Sequence, residues 1–208
     1  VFPQSNKVIH EKVTFRNRYG IMLAADMYIP KNAGGKLAAI AVSGPFGAVK
    51  EQSSGLYAQT LAERGFLTIA FDPSYTGESG GQPRYVASPD INTEDFCAAV
   101  DFLSTLDDVD PERIGILGIC GWGGMALNAA AMDTRIKATV TSTMYDMSRV
   151  NANGYFDAMD ADQRYELRRQ LNAQRTLDAK NGTYELAGGV VDPLPGDGPQ
   201  FVKDYCAY

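Results

Sequence analysis

The sequence predicts an α/β fold in which helices flank a mostly parallel β-sheet. Residues 37–42 and 66–71 are short apolar runs, the pattern of strands buried on both faces, and residues 136–143 form a third run rich in β-branched side chains. Residues 53–64 and 93–106 lie between these runs and repeat apolar side chains at helical spacing. Strands that alternate with helices along a chain form parallel sheets with right-handed crossovers.

The N-terminal part predicts an antiparallel hairpin at one edge of this sheet. Residues 7–15 alternate between apolar and polar side chains, as a half-buried strand does. Residues 21–29 form a second strand, which ends at Pro30 because proline cannot donate a ladder hydrogen bond. The turn at residues 17–20 ends with Gly20, which tolerates a positive φ.

The segments before the strand that begins at Ile114 are predicted to include irregular connections. We expect a loop at residues 88–92 before the helix at 93–106, and an acidic turn at residues 107–113 that leads into a strand beginning at Ile114. The helix that follows this strand runs to about Met132 and is rich in alanine. Alanine side chains are small, so this helix can lie close to the sheet.

Composition argues against several classes of partner. The chain has 208 residues, 45% of them hydrophobic, which is enough to bury the core of one domain. Its formal net charge of −6 argues against nucleic acid or an anionic membrane as the main partner. No apolar run approaches the roughly 20 residues that cross a bilayer. Cys97, Cys120 and Cys206 have no metal-ligand spacing and are expected to be free thiols, which favours a reducing compartment such as the cytoplasm.

Residues 114–124 (IGILGICGWGG) are typical of a sharp turn that presents a nucleophile. The apolar run ends at Gly118, Cys120 follows at the turn, and a helix of small residues begins. Backbone N–H groups at the start of a helix favour a thiolate, which could attack the carbonyl carbon of an ester, lactone or thioester. The alternative is a buried, inert cysteine that fills a small space.

Three motifs together resemble the α/β-hydrolase superfamily, closest to its dienelactone-hydrolase-like and bacterial peptidase-like branch. They are the elbow at Cys120, the loop SGPFG at 43–47 after the third strand, and the segment DPSYTGESG at 72–80 after the fourth. The match covers residues 7–147 in the expected order. Trp122 departs from the pattern, because the superfamily keeps a small residue there. Either the elbow opens to admit the indole or the indole points along the pocket.

The resemblance implies roles for several residues. The N–H groups of Gly121 and Phe46 would form an oxyanion hole, although the glycines at 43–47 could equally serve only to make a turn. Asp146 follows the strand at 136–143, where some superfamily members take the triad acid; an N-cap is the alternative. Asp72 is expected to be a buried, hydrogen-bonded turn carboxylate. The candidate walls of a substrate pocket, which amphipathic packing would also explain, are Trp122, Tyr75 and Tyr145.

The single histidine is the main difficulty for a catalytic interpretation. The superfamily order is nucleophile, acid, then histidine, but no histidine follows Cys120, and His10 lies in the predicted N-terminal edge strand. We therefore expect the acid and the histidine, with two further strands, on a C-terminal remainder that is absent here and could be a separate chain. Residues 1–147 are then an incomplete hydrolase core, and residues 148–208, with a charged helix at 160–177, are a cap or insertion.

Two main hypotheses of function remain from the sequence. The first is a cysteine-dependent hydrolase of small esters, lactones or thioesters, acting on a small-molecule substrate without a metal or organic cofactor. The second is a non-catalytic binding module of the same fold, which the absence of a base would explain directly. A thiol redox protein is the third interpretation, and the lack of a resolving cysteine near Cys120 argues against it.

Overall fold

The computed structural model describes residues 2–186 and residue 200, so Cys206 and most of the C-terminal stretch lie outside the described residues. Six strands form one sheet in the order β1-β2-β4-β3-β5-β6. The strands are β1 (Val8–Arg16), β2 (Met22–Pro30), β3 (Leu37–Ser43), β4 (Leu67–Phe71), β5 (Val109–Ile119) and β6 (Ile136–Ser142). The helices are α1 (Ser53–Ala62), α2 (Pro89–Ser104), α3 (Trp122–Met132), α4 (Met147–Asn153) and α5 (Ala161–Asn181).

The sheet is mixed in the way that the sequence predicts. Strands β1 and β2 pair as an antiparallel hairpin at one edge, and β2 pairs antiparallel with β4. Strands β4, β3, β5 and β6 are parallel to one another. Among the described residues, β6 forms the other edge of the sheet, and its Val140 is 53% exposed. The predicted α/β class, with flanking helices and an N-terminal hairpin, is confirmed.

Apolar side chains pack on both faces of the sheet. One cluster joins the inner faces of α2 and α3 to the central strands, through residues such as Phe96, Val100 and Met125. The other joins α1 to the opposite face through Ala58 and Ala62. The short side chains of α1 and α3 let both helices approach the sheet closely. The carboxyl ends of β3, β4 and β5 therefore have fixed relative positions.

The predicted loop at residues 88–92 is wrong, because helix α2 begins at Pro89. Ser88 is its N-cap, and its hydroxyl accepts a hydrogen bond from the Ile91 N–H. Proline is well suited to the first helical position, where its missing N–H is not needed. A serine followed by proline is therefore a helix start here and not a continuation of the loop.

The predicted turn at residues 107–113 is wrong in its second half, because β5 begins at Val109. Val109 is buried and pairs with Leu37 of β3. An irregularity in the register then separates this pair from the regular pairing that starts at Ile114. The polar residues at 110–113 occupy this irregular part of the strand.

The chain divides into two compact units, residues 1–151 and 152–208. In the second unit, α5 begins with a capping box formed by Asp160 and Gln163 and ends at Gly182, which has a left-handed backbone. No residue of α5 is buried. The assignment of residues 148–208 as a cap stays a prediction. Within residues 2–186 and 200, no helix is long and apolar enough to cross a membrane.

Candidate active site

Cys120 occupies a sharp turn between β5 and α3. Strand β5 ends at Ile119, α3 begins at Trp122, and Cys120 has a φ of +58°. A non-glycine residue in this conformation costs about 1–3 kcal/mol, so the surrounding structure must hold it there. The Cys120 N–H donates to the carbonyl oxygen of Ser142 at 2.9 Å, and the Cys120 carbonyl accepts from the Gly123 N–H at 3.0 Å. The half-buried thiol is thus held at the carboxyl end of β5.

The glycines around Cys120 allow close approach of backbone and side chains. A Cβ atom at Gly118 would lie 2.3 Å from the Trp122 carbonyl oxygen, so only glycine lets α3 start so close to β5. A Cβ atom at Gly121 would lie 2.3 Å from the Met147 sulfur. A Cβ atom at Gly123 would lie 2.7 Å from Met144 Cγ. The turn is therefore in contact with α3 and with the two methionines that follow β6.

Trp122 packs inward at the turn. The side chain is only 3% exposed and belongs to the core between the sheet and helices α2 and α3. Gly44, with a φ of +99°, makes room for it, since a Cβ atom there would lie 3.0 Å from Trp122 Cβ. The Phe46 ring lies beside the indole, with centroids 5.7 Å apart. The role of Trp122 as a pocket wall stays a prediction.

The loop at residues 44–49 begins next to the turn that holds Cys120. A Cβ atom at Gly44 would lie 2.4 Å from the Ile119 carbonyl oxygen, so the loop and the end of β5 are in backbone contact. Phe46 lies in this loop and is 38% exposed. Gly121 is the N-cap of α3, and within residues 2–186 no group accepts a hydrogen bond from its N–H. The structure thus brings the two predicted oxyanion donors to adjoining segments.

Residues 143–147, after β6, form another side of the site. Met144 and Met147 pack against Gly123 and Gly121, as described above. Asp146 lies between these methionines in sequence, and its carboxylate accepts a hydrogen bond from the Arg149 N–H at 2.9 Å. This contact is an N-cap of α4. A catalytic role for Asp146 as the acid stays a prediction.

The two tyrosines predicted as pocket walls have different environments. Tyr75 is 8% exposed, has a φ of +73°, and packs its ring against Gly81 of the same loop. Burial raises the pKa of the Tyr75 phenol. Tyr145 is half-buried in the segment that follows β6. A contact of either side chain with substrate stays a prediction.

His10 lies far from Cys120. It occupies β1, at the edge of the sheet and four strands from β5, which corresponds to about 19 Å at the usual strand spacing. Its Nε2 lies 3.2 Å from the Asp26 carboxylate, and its ring stacks on Tyr28 with centroids 4.9 Å apart. The structure therefore supports the interpretation of His10 as an edge-strand residue and not as a base for Cys120.

A buried lysine beside the glycine-rich loop was missed by the sequence reasoning. The Lys50 side chain is fully buried and is bound by the carboxylates of Glu51, Asp72 and Glu78. Burial alone would lower the pKa of Lys50, but these carboxylates outweigh it and raise the pKa above its ordinary value. Hydrogen bonds from Lys12 and Lys50 lower the pKa of Glu78 to about 2. The expected burial and hydrogen bonding of Asp72 are present.

Within the part of the chain that the structure describes, no group of three or more His, Cys, Asp or Glu side chains could hold a metal ion. A strained turn with a thiol, at the carboxyl end of a parallel strand, can support nucleophilic attack on a carbonyl group.

The sheet order and the turn after β5 define the chain as having an α/β-hydrolase fold. The solved α/β hydrolase GrgF from Penicillium sp. sh18 matches with a TM-score of 0.76 and 20% identity, over 96% of this chain and 65% of that one, which shows the shared fold. The family model described as X-Pro dipeptidyl-peptidase (S15 family) matches residues 19–187. The chain belongs to this family, and the predicted superfamily is confirmed.

Individual relatives extend beyond the region that they share with this chain. A Pseudomonas aeruginosa protein, PA2218, is 65% identical over all 208 residues, which span 56% of its length. The crystal structure of PA2218 matches with a TM-score of 0.95, over 100% of this chain and 64% of that one. The thiohydrolase aneE from Aspergillus aculeatus is 32% identical over 64% of this chain and 41% of its own length. The chain thus spans about half the length of these curated relatives.

Proposed function

We propose that the protein is a hydrolase of small esters, lactones or thioesters in which Cys120 is the nucleophile. The observation that carries this proposal is the position of Cys120, at a φ of +58° between β5 and the first turn of α3. This conformation is costly, and it presents the side chain at the top of the sheet beside the N–H groups that begin a helix. An inert core cysteine would need neither feature.

In the proposed reaction, the Cys120 thiolate attacks the substrate carbonyl carbon and forms a C–S bond. The carbonyl oxygen becomes an oxyanion, which accepts hydrogen bonds from the Gly121 and Phe46 N–H groups. The bond to the leaving alcohol or thiol then breaks, and the leaving group takes up the proton that the base removed from the Cys120 thiol. Water attacks the acyl-cysteine and loses a proton to the base, the C–S bond breaks, and the sulfur takes up this proton, which releases the carboxylic acid and restores the thiol. Removal of one oxyanion donor typically costs about 10²–10³ in rate.

The general base of this reaction is proposed to lie outside the described residues. His10 is bound at the opposite edge of the sheet, and the carboxylate of Asp146 caps α4. The relatives extend well beyond the part that matches this chain, which leaves room for an acid and a histidine on the unmatched part. The similarity to aneE, a thiohydrolase, supports a thioester or a related acyl group as the substrate class.

The test is acetylation of the full-length protein by p-nitrophenyl acetate. We expect a burst of p-nitrophenol, equal to one acetyl group per chain, and an acetylated peptide that contains Cys120. Cys120→Ala should abolish both the burst and the adduct, because the nucleophilic atom is gone. The matched control is Cys97→Ala, which removes the other described thiol and should leave the burst unchanged.

Two results would contradict the proposal. A burst of full size in Cys120→Ala would assign the reaction to another group. The absence of any burst or adduct in the unmodified protein, with p-nitrophenyl acetate and with a small thioester, would favour the binding module. A chain that acetylates once and then deacetylates slowly would support the nucleophile and show that the base limits turnover.

A further inference from the structure

Lys50 ends the loop that carries the proposed oxyanion donor, and its side chain is completely buried. Its ammonium group lies 2.8 Å from Glu51, 2.7 Å from Glu78 and 3.1 Å from Asp72. A lysine ammonium has three N–H donors, so each donor has a carboxylate acceptor. A buried lysine without such acceptors would lose its charge, and here the three acids keep it protonated.

Asp72 connects this lysine to the backbone of two loops. One carboxylate oxygen accepts a hydrogen bond from the Lys50 N–H at 2.8 Å, and the other accepts from the Glu78 N–H at 2.9 Å. The second oxygen also accepts from the Lys50 ammonium. Asp72 directly follows β4, so this one side chain ties the loop after β3 to the end of β4 and to the loop after it.

The other end of the glycine-rich loop is attached to the same place. The Ser43 hydroxyl is buried and donates to the carbonyl oxygen of Phe71 at 3.0 Å. Phe71 and Asp72 are consecutive, so residues 44–49 are held at both ends by the carboxyl end of β4. Phe46 lies in the middle of the loop, between these two attachments. A short segment fixed at both ends has few alternative conformations.

We infer that Lys50 is a positioning residue, which acts through Asp72 to hold residues 44–49, and with them the Phe46 N–H, beside Cys120. The hydrogen bond between the Lys50 ammonium and the Asp72 carboxylate is charge-assisted, so it is stronger than a hydrogen bond between neutral groups. This inference rests on the proposed function for its catalytic consequence, while the attachment of the loop can be measured without any substrate.

The experiment compares Lys50→Gln with the unmodified full-length protein by two measurements. The first is amide hydrogen exchange of a peptide covering residues 44–49, which should become about tenfold faster as the loop opens locally. The second is the rate of acetylation by p-nitrophenyl acetate, which should fall about 10²-fold, the typical cost of a misplacement of about 1 Å. Alkylation of Cys120 by iodoacetamide forms no oxyanion, so its rate should change little.

The Lys50→Gln variant leaves Asp72 without its cation, and this could prevent folding. Two further variants keep the test valid in that case. The double variant Lys50→Gln/Asp72→Asn removes both charges and keeps similar volumes. Ser43→Ala releases the other end of the loop at small structural cost. Its matched control is Thr68→Val, which removes a buried hydroxyl that donates to the Ala58 carbonyl on α1 and does not contact the loop.

The outcomes separate this inference from the proposed function. Faster exchange at residues 44–49, with slower acetylation and unchanged alkylation, supports the positioning role of Lys50. Unchanged exchange in all three loop variants overturns it, whatever the acetylation rate is. An equal loss of acetylation and alkylation overturns it as well, because Lys50 would then support the whole turn. No acetylation of the unmodified protein overturns the proposed function, while the exchange data still decide whether the loop is held.

Discussion

The two described cysteines lie in contrasting environments within one fold. Cys97 lies in the middle of α2, is 7% exposed, and faces the core. Burial, with the nearby charges of Asp133 and Glu94, raises the pKa of its thiol to about 11. Cys120 lies at a strained turn at the start of α3, where the thiol is half-buried and the backbone presents N–H groups.

The two thiols also differ in their backbone setting. The backbone N–H groups around Cys97, in the middle of a helix, already donate to intrahelical acceptors, and burial disfavours the charged form of its thiol. A thiol just before a helix is next to N–H groups that have no intrahelical acceptor. Cys97 is thus suited to packing, and under the proposed function Cys120 is the thiol that reacts.

The strongest test of this contrast is selective alkylation of the native protein at pH 8. With a pKa of about 11, Cys97 is only about 0.1% thiolate at this pH, and its burial slows access further. We expect iodoacetamide to modify Cys120 at least about 10²-fold faster than Cys97, as measured by mass spectrometry of the two peptides. In urea both should react at similar rates. Equal labelling of the folded protein would remove the distinction between the two sites.

A second test changes the turn itself and leaves both cysteines in place. In Gly118→Ala, the added Cβ atom would lie 2.3 Å from the Trp122 carbonyl oxygen, and backbone must move to relieve this contact. Cys120 lies between these two residues, so the acetylation rate should fall about 10²-fold, as expected for a displacement of about 1 Å. Gly124→Ala is the matched control, because nothing lies within 4 Å of its added Cβ. Similar acetylation rates for the two variants would show that acetylation does not depend on the tight turn.

The features predicted correctly from the sequence are those encoded by neighbouring residues. The buried strands, the hairpin and the turn at Cys120 each depend on an apolar run interrupted by glycine or proline, which is a local signal. The start of α2 also has a local signal, Ser88 followed by Pro89, but this signal is ambiguous because both residues are common in loops as well.

The features that were missed depend on residues distant in sequence. Lys50, Asp72 and Glu78 meet only because β3 and β4 are neighbours, and the loops after them therefore converge. A lysine is expected at the surface, so the burial of Lys50 can be inferred only when the three carboxylates that bind its ammonium group are known to lie around it. The inward packing of Trp122 similarly depends on Gly44, which is distant in sequence. No periodicity could predict these contacts.

The smallest expected effect is a change in the pH dependence of stability in Cys97→Ala. The thiol pKa is about 11 in the folded protein, against an ordinary value of 9.0, so the unfolded chain loses this proton first as the pH rises. Stability from this group is complete below pH 9 and is lost between about pH 9 and 11, by up to about 3 kcal/mol. Urea unfolding should therefore show a shallower decline over this range in Cys97→Ala. Ala98→Gly, on the same helix, should lower stability equally at every pH, and parallel curves for all three proteins would contradict the raised pKa of Cys97.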